Sequence, residues 1–152
     1  MKKTIEKLKE KIEEDKNGEI SLAVENDLTV SLVVLNEAPY YSLLLNDENT
    51  YIHLTSLWRA IVDSRVIFTS EDDKQMFGLK KPFNVQEAFT EHFSLKKISR
   101  IKIKSPIADM QILFQDGSYI ELLATSGGYE NWIISGKEIQ IICLGGGELA
   151  FF

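Results

Sequence analysis

Two stretches of the chain lie over one another. "SLLLNDENTYIHLTS" followed by "LWRAIVDSRVIF" aligns with "QILFQDGSYIELLATSGGYENWIISGKEIQII". Asp47 then meets Asp116, Tyr51-Ile52 meets Tyr119-Ile120, Leu54 meets Leu122, and Trp58 meets Trp132. "LTVSLVV" stands where "SRIKIK" stands. A repeat unit of roughly 45 residues made of short strands cannot bury its apolar face alone, so two such units are expected to share one core. The expected class is α+β: two related antiparallel β-meanders sharing one core, with an N-terminal helix and a central helix. The expected boundaries are 1–18 for the N-terminal helix, 28–70 for the first β-meander, 71–96 for a loop and helix, and 97–152 for the second β-meander, all in a single α+β domain spanning 1–152.

The periodicity supports this division. Ile5, Leu8 and Ile12 form one apolar stripe, which predicts a helix over 4–15, stopped by Asn17-Gly18. From Leu28 onward the period is two. "LTVSLVVL" reads as a strand, "YYSLLLNDENTYIHL" as two, and "LWRAIVDSRVIFTS" as two more. Asn84 with Glu87 three residues later gives a helix-start signal, and Val85, Ala88, Phe89 and Phe93 give an apolar face, so 85–94 is the second helix. "RIKIK", "MQILF", "YIELL", "YENWIIS", "KEIQIICL" and "GELAFF" then read as strands. Arg100, Lys102 and Lys104 alternate with Ile101 and Ile103, a pattern read as an edge strand guarded by lysines. The terminal Phe151-Phe152 points to a tail that completes a sheet or an interface, and is compatible with a homodimer.

Composition removes several function classes. A chain of 152 residues needs no metal or disulfide staple to build a core. The net charge of −6 disfavours nucleic acid as a partner and suits a basic one. No apolar run approaches the roughly 18–20 residues of a membrane span, so no membrane partner is expected. The charged opening "MKKTIEKLKEKIEED" lacks the apolar core of a signal peptide, which with the single Cys143 predicts a cytoplasmic location. His53 and His92 are not at ligand spacing, so no metal is expected. Cys143 lies in the apolar run "IQIICLGGG", where a thiol is a poor nucleophile. There is no GxSxG elbow, and "LGGGE" lacks the lysine of a phosphate loop. No catalytic residue and no cofactor is assigned, and the chain is more simply a non-enzyme.

Two clusters remain. Glu71, Asp72 and Asp73 in "SEDDKQ" form the densest acidic group, read as a solvated loop or a contact surface. "TSGGYENWIISG" joins two strands. Gly127-Gly128 allows a sharp turn, Tyr129 and Trp132 bring apolar rings with polar tips, and Glu130 can accept a hydrogen bond. This stretch is either a corner anchored on the core or a recognition surface.

At these residues the chain resembles a family of small bacterial proteins of no assigned function. The shared motifs are Trp58-Arg59, the loop with Ser70, Asp72 and Asp73, Phe77-Gly78-Leu79 with Pro82, "TSGGYENW" and "GGGEL". The resemblance spans 28–150. Where the family has one residue between Ser and Tyr, this chain has Gly127-Gly128. The resemblance implies a mixed fold dominated by antiparallel strands and no assigned chemistry. By analogy with small acidic bacterial proteins, it suggests an immunity-like protein whose partner is a toxin-like protein. On that reading Glu71, Asp72, Asp73 and Glu130 make the contact. The alternative is a small-molecule-binding protein or enzyme, in which Arg59, Asp73 and Glu130 converge between the meanders with Trp58 and Trp132 as walls.

Overall fold

The computed structural model describes residues 12–14, 19–24, 27–35, 40–136 and 140–152. The strands are β1 (Ile12–Glu14), β2 (Glu19–Ala23), β3 (Val30–Val34), β4 (Tyr41–Leu45), β5 (Tyr51–Leu54), β6 (Trp58–Val62) and β7 (Arg65–Thr69). After the helix α1 (Val85–Phe93) come β8 (Ile98–Lys104), β9 (Asp109–Phe114), β10 (Tyr119–Leu122), β11 (Trp132–Ser135), β12 (Gln140–Cys143) and β13 (Leu149–Phe151). They form two sheets. The first has seven strands in the order β1-β2-β8-β9-β10-β6-β7, the second six in the order β13-β12-β11-β5-β4-β3. Every pairing is antiparallel.

The α+β expectation is therefore corrected: the protein is mostly β. Among the described residues α1 is the one α-helix. The predicted N-terminal helix falls mostly on residues 1–11 and 15–18, which lie outside the described residues, and residues 12–14 form β1 instead. Pairing to β2, which itself pairs to β8, overrides the local helical pattern there. The two expected meanders are corrected as well, because neither is a single sheet. β3-β4-β5 lies in the second sheet and β6-β7 crosses to the first, whereas β8-β9-β10 lies in the first and β11-β12 crosses to the second. Each unit is thus divided between both layers. β8 is no edge either, since it lies between β2 and β9.

The two units correspond strand by strand, and so do their junctions. Leu122 pairs opposite Trp58 and Leu54 opposite Trp132. Tyr119 lies opposite Ile61, and Tyr51 opposite Ser135, three positions along in both cases. The preceding turns match too. Asp47 Oδ1 accepts from the Thr50 backbone N–H at 2.9 Å, and Asp116 Oδ1 accepts from that of Ser118 at 3.0 Å. Each aspartate closes the turn just before a Tyr-Ile strand. β7 and β12 then end alike, in the short 3₁₀ turns Ser70–Asp72 and Gly145–Gly147.

Period-two alternation sends one set of side chains from each sheet into one core. Trp58, Phe68, Met110, Ile112, Phe114 and Ile120 come from the first sheet, and Tyr41, Leu43, Ile52, Leu54, Trp132 and Ile134 from the second. The layers touch directly: the rings of Tyr41 and Trp58 meet edge to face at 5.4 Å. Burying each such aromatic stabilises the fold by roughly 1.5–3 kcal/mol. α1 seals one side. Asn84 Oδ1 caps it by accepting from the Glu87 N–H at 3.0 Å, and Val85, Phe89 and Phe93 are its buried face. It packs on β3 and β7, the outermost strands of the two sheets, and Gln86 Nε2 donates to the Leu32 carbonyl at 3.0 Å. Two edges that could pair with another chain are covered by one element.

Candidate functional site: the loop end of the sandwich

The changes of sheet within the two repeats, β5 to β6 and β10 to β11, occur at the same end of the molecule; the change between β2 and β3 lies outside them. The first crossover, 55–57, runs beside the second, 123–131: the Leu123 N–H donates to the Leu57 carbonyl at 2.9 Å, and the Thr55 N–H to the Asn131 carbonyl at 3.1 Å. Ser56 Oγ donates to the Leu123 carbonyl at 2.7 Å. The 70–73 turn joins them, because the Trp58 N–H donates to Ser70 Oγ at 3.1 Å. The 144–148 turn joins them through the Gly146 N–H, which donates to the Ser126 carbonyl at 3.1 Å. The 105–108 turn completes the set: its Ala108 carbonyl accepts from Trp132 Nε1 at 2.9 Å.

The two crossovers differ in length. Trp58 follows Leu54 by four positions, but Trp132 follows Leu122 by ten. The second crossover is six residues longer, and Asn131 organises its "TSGGYEN" corner. Asn131 is buried. Its Oδ1 accepts from the Thr125 and Ser126 N–H groups at 3.1 and 3.0 Å, and its Nδ2 donates to the Tyr129 carbonyl at 3.3 Å. Ser126 Oγ accepts from the Gly128 and Tyr129 N–H groups at 3.1 and 2.8 Å. Gly127 and Gly128 are not in the left-handed region, and a Cβ on either would meet nothing within 4 Å. The glycines the fold demands are elsewhere. A Cβ on Gly145 would come within 2.5 Å of the Gly128 nitrogen, and one on Gly147 within 2.0 Å of the Pro106 carbonyl oxygen.

The predicted site residues fall into three groups. Trp58 and Trp132 are wholly buried, so both are core. Trp58 Nε1 and the neighbouring Tyr41 hydroxyl are buried and make no hydrogen bond among the described residues. Burial, and then the charge of Asp73, push the Tyr41 phenol up to about 12. Arg59 points the other way from Trp58, onto the outer face of the first sheet. Its Nε donates to Glu121 Oε2 at 2.7 Å, and Glu121, only 7% exposed, also accepts from Gln111 Nε2 at 3.2 Å. Asp72 and Asp73 are structural caps. Asp72 Oδ2 accepts from the Thr69 N–H at 2.8 Å, and Asp73 Oδ1 from the Val85 N–H at 3.0 Å. Glu71, Tyr129 and Glu130 are exposed, Tyr129 to 81%. Tyr129 is therefore no core anchor, and that part of the corner reading is corrected.

Arg59 and Asp73 are engaged in different places, Arg59 with Glu121 on the outer face of the first sheet and Asp73 with the Val85 N–H at the start of α1. A shallow surface depression along α1 is lined by Asn84, Gln86, Glu87, Thr90 and Glu91. Sequence reasoning missed Asn131, whose place between Tyr-Glu and Trp was the available signal. It also missed Glu148, exposed beside the corner. Cys143 is buried, its thiol pushed up by burial, with Asn131 Nδ2 3.8 Å away. His53 is held below its ordinary value by burial. Among the described residues, no group of three His, Cys, Asp or Glu side chains could hold a metal ion, and no helix is long and apolar enough to cross a membrane. Residues 55–57, 70–73, 105–108, 123–131 and 144–148 contain no lysine or arginine, while Glu71, Glu130 and Glu148 are exposed among them. No family model, curated protein or solved structure matches the chain.

Proposed function

We propose that the chain is a non-catalytic interaction protein, immunity-like in kind, that binds a basic protein partner through this loop end. The observation that carries the reading is the asymmetry of the crossovers. Three residues, 55–57, suffice to change sheets in one half, so the longer corner in the other half is not required by the fold. Its addition presents Tyr129 and Glu130 to solvent on a frame fixed by Asn131, which limits the entropy lost on binding. Tyrosine is favoured at binding hot spots, and an acidic rim speeds encounter with a basic surface. Glu71 and Glu148 extend that rim.

The test compares pull-downs from the native host by the tagged chain and by a Tyr129→Ala/Glu130→Ala variant. A stoichiometric basic partner is expected with the parent chain, weakened by about 2 kcal/mol or more in the variant. The thermal midpoints of the two proteins should agree, since both side chains are exposed. A partner that binds the variant equally well, or an acidic one, would sink the assignment of this surface.

A further inference from the structure

The segment between β7 and α1 is unlike the rest of the surface. Residues 74–82 are exposed without interruption, yet the backbone is closed on itself. The Lys74 N–H donates to the Phe83 carbonyl, the Phe83 N–H to the Gln75 carbonyl, and the Leu79 N–H to the Met76 carbonyl, each at 2.7 Å. At the apex Met76, Phe77 and Leu79 are exposed to 49%, 63% and 51%. Phe77 holds φ at 47°, a left-handed conformation that a bulky residue rarely takes. Its ring meets that of Phe83 at 6.3 Å, and Phe83 meets the core ring of Phe68 at 6.1 Å. The apolar apex is thus displayed by an ordered support rather than collapsed onto the body.

The charges follow the same plan. Lys74 stands on one leg of the loop and Lys80 and Lys81 on the other, and "KQMFGLKKPF" contains no acid. Among the described residues none of the three lysines is paired with a carboxylate. An exposed apolar tip flanked by lysines on both legs of the loop matches the gradient of a lipid surface, where apolar side chains enter the acyl boundary and lysines meet anionic headgroups. We propose that the 74–83 loop docks the protein on an anionic lipid surface. The absence of a membrane-spanning run does not bear on this, because an interfacial loop needs none. The chain's net charge of −6 opposes approach, as does exposed Glu71 three residues before Lys74; Asp72 and Asp73 are engaged with the Thr69 and Val85 N–H groups, and charges beyond about 10 Å are largely screened at 0.1 M salt.

The experiment is co-sedimentation of the full chain with phosphatidylcholine vesicles, with and without about a third phosphatidylglycerol. Binding is expected on the anionic vesicles alone, falling as salt rises. Phe77→Ser/Leu79→Ser and Lys80→Gln/Lys81→Gln should each lower the partition coefficient by about tenfold or more. A second readout is Phe77→Trp. Both native tryptophans are buried, so a blue shift of its emission on anionic vesicles reports insertion of the apex. No sedimentation of the parent chain at low salt overturns the proposal, as does binding indifferent to the apex substitutions. Self-association abolished by the same substitutions, without vesicle binding, overturns it in favour of a second copy as the occupant.

Discussion

Asn131 does with one amide what a longer stretch of secondary structure does elsewhere. Its side chain supplies an acceptor to two backbone N–H groups and a donor to the Tyr129 carbonyl, in a corner that has no ladder of its own. Asn131→Ala leaves the Thr125 and Ser126 N–H groups without that partner, and should cost about 2–3 kcal/mol. Asn131→Asp keeps the acceptor but sets an oxygen against the Tyr129 carbonyl, so it should also destabilise. Urea midpoints of both variants beside the parent check this. A loss under about 0.5 kcal/mol for Asn131→Ala would mean that the corner is held by something else. At this scale the sequence was legible where a residue's role follows from its own pattern. Trp132 sits in a strand-like run and is core. Tyr129, three residues earlier, has the same chemistry and is exposed, because Gly127-Gly128 and the Ser126 turn carry it past the end of the sheet. Nothing in the local pattern marks Tyr129 as exposed.

Elements were legible from alternation and their assembly was not. β3 to β13 each follow an apolar period that the sequence displays, and α1 follows the Asn84 cap. β2 was missed although Ile20 and Leu22 alternate with Glu19 and Ser21. β1 could not be read, since Ile12–Glu14 has no strand pattern and exists through its pairing. The division of each repeat between two sheets depends on β5 meeting β11 and β10 meeting β6, contacts between residues far apart in the chain. The turn before β13 shows how tightly those pieces meet. Gly147 has φ of 88° and lies against the Pro106 carbonyl, so Gly147→Ala combines backbone strain with a clash that no side chain can relieve. The expected cost is about 2–4 kcal/mol. Gly127→Ala, in open space and outside the left-handed region, should change stability by less than about 0.5 kcal/mol. Thermal melts of the pair test the claim, and equal losses at the two positions would contradict the close approach of 144–148 to its neighbours.

For the whole molecule the near-twofold arrangement has a thermodynamic consequence. Neither repeat can close a core by itself, because its strands occupy both layers. β3-β4-β5 without β11 has an open edge, and β6-β7 without β10 is a two-stranded ribbon, marginal in water. The core side chains of the two units also form one cluster, and the helix between them touches both: Phe89 meets Trp58 of the first unit and Phe93 meets Phe114 of the second. Unfolding should therefore be a single transition for the described body rather than one per repeat. Each repeat carries one buried tryptophan, which makes the expectation measurable. In Trp58→Phe the remaining fluorescence reports the second repeat, and in Trp132→Phe it reports the first. Both variants should lose stability, by unequal amounts, since Trp132 Nε1 donates to the Ala108 carbonyl and Trp58 Nε1 has no partner among the described residues. Within each variant, though, the urea midpoint from fluorescence should coincide with that from far-UV circular dichroism. Two midpoints in either variant would mean that the repeats unfold separately and that the shared core does not couple them.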